Sequence, residues 1–94
     1  MPSYDVAHIN EQGQDIIIVP VDSDFGNSPK SEQDLFIVDF QRRCIYAGLR
    51  GVVVPVWINF YGNLGFIAPF EWHPFFQSLT MESVQVNING NVHW

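Results

Sequence analysis

Residues 51–69 of this 94-residue chain read GVVVPVWINFYGNLGFIAP, its most apolar stretch, and the fold turns on how they pair. Val52, Val53, Val54, Val56, Trp57 and Ile58 are β-branched or aromatic, the types that pack well on a pleated surface, in a run too short to cross a membrane. Pro55 cannot donate to a ladder, so the strand is expected to begin after it or to bulge there. Gly62-Asn63 offers a two-residue loop with glycine at its first central position, which sets Tyr61 opposite Leu64, Asn59 opposite Phe66 and Ile58 opposite Ile67. In that register Trp57, Tyr61, Leu64 and Phe66 share one face of a hairpin, and Val56, Ile58, Phe60 and Ile67 share the other. Both faces are apolar. Each therefore needs a cover, either a helix of the same chain or another molecule.

The length suits one domain spanning residues 1–94 with a single core. A composition of 47% hydrophobic and 15% charged residues, with eight Phe, three Trp and three Tyr, is that of a globular chain and rich in apolar groups for its size. Ten acidic side chains against four basic ones give a formal net charge of −6, which repels a phosphate backbone. Nucleic acid and anionic membrane are thereby disfavoured as partners. The lone cysteine, Cys44, rules out an internal disulfide and fits a reducing compartment, and nothing near the N-terminus reads as a signal peptide. A cytoplasmic location is the expectation.

Upstream, residues Tyr4 to Val21 read as a first hairpin turning at Asn10 to Gly13, with the run Asp15 to Val19 as a central strand closed by Pro20. The segment DSDFGNSPK, residues 22–30, is dense in turn formers and reads as an exposed loop. A long helix is predicted over about 31–47, with Ser31 as its cap, Glu32 and Asp34 in its first turn and Gly48 as its stop. Phe36, Ile37, Phe40, Cys44 and Ala47 form one stripe at helical spacing and should pack on a sheet. Leu35, Val38, Ile45 and Leu49 fall off that stripe. A helix this widely apolar is expected to be covered on more than one side.

Downstream, FEWHPFFQSL suggests a short helix over about 74–79 with Pro74 in its first turn. At the C-terminus Val84, Val86, Ile88, Gly90, Val92 and Trp94 alternate with polar residues, the period-2 pattern of a half-buried strand. One strand from Val84 nearly to the end is the expectation. With no charge before His93 to blunt its edge, it would offer a template for pairing with another chain.

Signatures of chemistry are weak. The loop from Asp22 starts like a calcium loop but has Gly at the fifth position and Gln33 at the twelfth, so no metal site is assigned. His8, His73 and His93 lack paired ligand spacing, no glycine-rich loop follows a strand, and Cys44 on the apolar stripe would have its pKa raised. No catalytic residue and no cofactor is assigned. The expected fold is a single α+β domain in the order ββαββαβ with a largely antiparallel sheet. The expected function is that of a small non-enzymatic protein-interaction module, a homodimer. Its interface residues are Trp57, Tyr61, Phe66, Trp72, Phe75, Val92 and Trp94, because aromatics dominate interface anchors. Two alternatives stand beside it. One is a binder of a small apolar ligand between the central hairpin and the short helix. The other is an acidic inhibitor using Asp22, Asp24, Glu32, Asp34 and Asp39 to occupy a basic or nucleic-acid-binding surface of a target.

Overall fold

The structure is a computed structural model and describes residues 2–94. The chain is α+β, as expected. Its elements run β1 (Ser3–Glu11), β2 (Gln14–Pro20), α1 (Lys30–Tyr46), β3 (Val52–Ile58), β4 (Leu64–Phe66), α2 (His73–Gln77), α3 (Met81–Val86) and β5 (Gly90–His93). Single 3-10 turns at Ser23–Asn27 and Phe70–Trp72 lead into α1 and α2. One five-stranded sheet has the order β4-β3-β2-β1-β5.

The β1–β2 hairpin closes through Gln12 and Gly13, both at positive φ, with Glu11 opposite Gln14. That is the backbone sign a tight two-residue hairpin loop requires. After β2 the chain returns through α1, and β3 then pairs with β2 in parallel, Ile17 beside Val53 and Val19 beside Pro55. A helix of 17 residues is about 25 Å long, about the length of a seven-residue strand, so it carries the chain back to where β2 began. The other pairings, β1–β2, β1–β5 and β3–β4, are antiparallel. The sheet is therefore largely antiparallel, with one parallel step in its middle.

Three expectations are corrected. First, β3 neither starts after Pro55 nor bulges there; it runs through it, and Pro55 is buried. Ile67 donates to the Pro55 carbonyl at 3.3 Å, which places the polar groups of Pro55 on the β4 side just where β4 has ended, so no partner strand needs the missing N–H. Second, the hairpin register is Ile58 with Leu64, Trp57 with Gly65 and Val56 with Phe66, joined by the loop 59–63. Asn59 causes the shift: its Oδ1 accepts from the backbone of both Tyr61 and Asn63 at 3.0 Å, and its N–H donates to the Asn63 carbonyl at 2.8 Å. Leu64 and Phe66 thereby join Val56 on one face, and Trp57 goes to the other.

Third, residues 84–94 are not one strand. A helix covers Met81–Val86, opened by a reciprocal cap in which Thr80 Oγ1 accepts from the Ser83 N–H and Ser83 Oγ accepts from the Thr80 N–H. Val84 is buried, whereas Val86, two residues on, is exposed, because a helix does not return to the same face after two residues. The element order gains this third helix. Strand β5 is confined to Gly90–His93 and pairs within the chain, Tyr4 with Val92 and Ser3 with His93. Asn89 prolongs that pairing with its side chain, accepting from the His8 N–H at 2.8 Å and donating to the His8 carbonyl at 2.9 Å.

Because β2 and β3 are apolar at successive positions, the sheet is buried on both sides. Val6, Ile17, Val19, Val53 and Val92 meet Phe40 and Cys44 of α1 on one face. Ala7, Ile16, Ile18, Val54 and Val56 meet Phe76 of α2 and Val84 of α3 on the other. The long helix begins at Lys30, one residue earlier than expected, with Pro29 rather than Ser31 at its cap, and ends at Tyr46, followed by Ala47 as its C-cap and Gly48 at φ +82°. Gln41 ties α1 to β3: its amide donates to the Gly51 carbonyl at 2.8 Å and accepts from the Val53 N–H at 3.1 Å.

Candidate interaction surfaces

The seven residues expected at an interface fall into four places. Trp57 and Trp94 end a row of aromatic rings beneath α1, which passes from Trp94 through Tyr4, Phe40, Phe36 and Phe25 to Trp57 with centroids 5.3 to 5.7 Å apart. Arg43 lies over the Trp94 ring at 4.1 Å, a cation–π contact that half-covers it. A Cβ on Gly26 or Gly65 would overlap the Trp57 indole, so both glycines grip that ring from the loop and from β4. Phe66, Trp72 and Phe75 belong to the opposite face, where Phe66 and Phe75 flank the buried Phe76 at 5.4 and 5.2 Å and Trp72 stands edge-on to Phe75. All five of these rings are half-buried within the chain. Val92 is 3% exposed and part of the core, so its side chain presents no surface. Tyr61 stands free, 82% exposed beside Phe60 at 96% in the β3–β4 loop.

A second apolar surface lies elsewhere. On α1, Phe36, Phe40 and Cys44 face the sheet, and the opposite face carries Leu35, Val38 and Ile45, which are 70%, 65% and 64% exposed. Spacings of three, four and three residues along Leu35, Val38, Arg42 and Ile45 keep these side chains in line. Tyr46 flanks the row at 83% exposure. The sequence marked Leu35, Val38 and Ile45 as off the packed stripe, yet the aromatic criterion passed them over. Their signal was aliphatic side chains where a surface helix normally carries charge.

Electrostatics divides the surface. Lys30 pairs with Asp34 at 3.4 Å, and Asp39 pairs with both Arg42 at 2.8 Å and Arg43 at 3.0 Å. Hydrogen bonds from Arg42 and Arg43 hold the Asp39 carboxyl below its ordinary value. Three basic and three acidic side chains thus balance along α1, while the remainder of the chain sets Asp5, Glu11, Asp15, Asp22, Asp24, Glu71 and Glu82 against Arg50. The acidic cluster from Asp22 to Asp39 is divided: Asp22 precedes the 3-10 turn and Asp24 lies in it, and Asp34 and Asp39 are already engaged.

Elsewhere the polar chemistry is structural. His8 donates to the Arg50 carbonyl at 2.7 Å and His73 to the Ala68 carbonyl at 3.0 Å. Cys44 is fully buried, and burial pushes its thiol up to about 11. Among the described residues no three His, Cys, Asp or Glu side chains are grouped to hold a metal ion, and no helix is long and apolar enough to cross a membrane. Between the β3–β4 hairpin and α2 runs a groove of about 420 Å³ lined by Ile58, Leu64, Phe66, Phe76, Leu79 and Met81. It opens to solvent along Gly62, Asn63, Gln77 and Ser78 and is not a closed cavity. Against family models, curated proteins and solved structures alike, the chain has no significant match.

Proposed function

We propose that this chain is a small non-enzymatic protein-interaction module that acts as a homodimer, in the cytoplasm. One observation carries the reading. Both faces of the sheet are already covered by the chain's own helices, and Leu35, Val38, Ile45, Tyr46, Phe60, Tyr61 and Phe70 still remain exposed. Exposed apolar side chains gathered in contiguous patches mark contact surfaces more often than isolated ones do. The acidic balance speaks against a nucleic-acid partner. The open groove beside α2 gives less support to a small-ligand role, since such ligands are mostly enclosed when bound. The divided acidic cluster likewise gives less support to an inhibitor of a basic surface.

Sedimentation equilibrium over micromolar to millimolar concentration tests the reading. The expected mass rises from the 10.8 kDa of one chain toward twice that value. A constant single-chain mass across that range would remove the homodimer from the proposal.

A further inference from the structure

We infer that the open edge of β5 pairs with the β5 edge of a second copy of this chain, the two strands antiparallel about a twofold axis at Val92, so that two sheets run on as one. This rests on the homodimer reading above and assigns it a contact. Main-chain hydrogen bonds locate it. Strand β5 is last in the order β4-β3-β2-β1-β5. The Trp94 N–H donates to the Pro2 carbonyl at 3.1 Å, and His93 lies opposite Ser3 and Val92 opposite Tyr4. Bonded and non-bonded pairs alternate along an antiparallel ladder, so Val92 exchanges its bonds with Tyr4, while the N–H and C=O of Asn91 and His93 point away from β1. Groups at that spacing are matched by another extended strand. The devices that close an edge are missing here, since Gly90–His93 holds no lysine, no carboxylate and no proline.

The strand's own pattern selects a second copy. An axis at Val92 sets Asn91 against His93 of the other copy on both sides at once, each pair exchanging both of its hydrogen bonds, so every outward group finds a partner. One position further out, Trp94 faces Gly90 of the other copy. Trp94 is stacked on Tyr4 with Arg43 over its ring, and it meets the one residue of the strand that has no side chain. Charge permits the approach, although each chain carries a net charge of −6. Asp5 lies one strand in, opposite Asn91, so the two copies of its carboxylate are three strand spacings apart. That is at least about 14 Å, beyond the ~8 Å over which exposed charges act at physiological salt. Above the sheet, Asp39 is already held by Arg42 and Arg43. Strand addition draws its affinity from main-chain hydrogen bonds, so it does not depend on the broad apolar area of a face-to-face dimer.

The test compares sedimentation of the wild-type chain with His93→Pro, His93→Glu and, as a control on the back of α1, Leu35→Glu. His93→Pro removes an N–H that one chain leaves unpaired, at an edge position that accepts proline. His93→Glu sets two carboxylates beside the axis and leaves the main chain intact. The expected result is at least a tenfold weaker dimer for each His93 variant and no change for Leu35→Glu, with unaltered circular dichroism in all three. In the wild type, amide exchange at Asn91 and His93, followed by nuclear magnetic resonance, should slow at least tenfold from a dilute to a concentrated sample. A dimer that survives either His93 substitution, or that forms while those two amides exchange as fast as in the dilute sample, overturns this contact and leaves the homodimer standing. A wild-type chain that stays monomeric overturns both.

Discussion

At Gly51 the backbone has φ +137°, and a Cβ there would sit 2.8 Å from the carbonyl carbon and oxygen of Asp15. The residue immediately precedes β3 and lies against the main chain of β2, so Gly51→Ala combines strain with a clash. Its expected cost is about 1 to 3 kcal/mol, measured by urea unfolding. Cys44 gives a pH dependence with a definite sign. Its thiol ionises near 9.0 in the unfolded chain and near 11 in the fold, so the native state retains the proton longer. The stabilisation is complete below pH 9 and is lost as pH rises toward 11, by roughly 2 to 3 kcal/mol. Unfolding free energies between pH 7 and 11 should show this slope in the wild type, and Cys44→Ala, although less stable throughout, should show less of it. The stripe position of Cys44 already implied burial and a raised pKa. The reach of Asn59 and Asn89 did not show, because an amide that hydrogen-bonds main chain across a loop depends on where the neighbouring segment lies.

Among the elements, α3 shows where the pattern misled. Val84, Val86, Ile88, Gly90 and Val92 alternate faultlessly, yet Met81, Val84 and Ile88 also fit helical spacing, and Thr80 with Ser83 makes the cap that selects the helix. The alternation ran across two elements and a turn. Thr80→Ala should lower stability by about 1 kcal/mol and loosen α3 selectively, seen as faster amide exchange at residues 83–86. By contrast α1 was legible almost to the residue, because Phe36, Phe40 and Cys44 recurring at helical spacing before a glycine stop outweigh local detail. The central hairpin was legible as a pair of strands but not in register. There the Gly-Asn turn signal competed with an Asn59 side chain that closes a longer loop. Gln41 joins elements that sequence spacing does not relate, and Gln41→Leu should leave the Val53 N–H without its partner and destabilise by about 1 to 3 kcal/mol in equilibrium unfolding.

For the whole molecule, the surplus of apolar residues was visible from composition, and its distribution was not. Two helical layers shelter most of the aromatic rings, and what stays outside is divided between the back of the longest helix, at Leu35, Val38, Ile45 and Tyr46, and Phe60, Tyr61 and Phe70 around β4. Composition counts side chains. It does not say which of them the sheet has already used. Strand β5 makes the same point, since one of its sides is taken by β1 while, as the last strand of the order, it keeps its other side at the edge of the sheet. Deleting residues 90–94 would strip Val92 and Trp94 from the core beneath α1 and uncover Val6. The expected result is loss of cooperative unfolding, read by near-ultraviolet circular dichroism and dye binding. The same pairing has a mechanical consequence. Ser3 lies beside His93 with the two strands antiparallel, so tension applied between the chain's ends would load the rungs joining β1 and β5 singly, like a zipper drawn from its open end. The molecule should yield to stretching at low force, peeling its outermost strand before the parallel centre feels any pull.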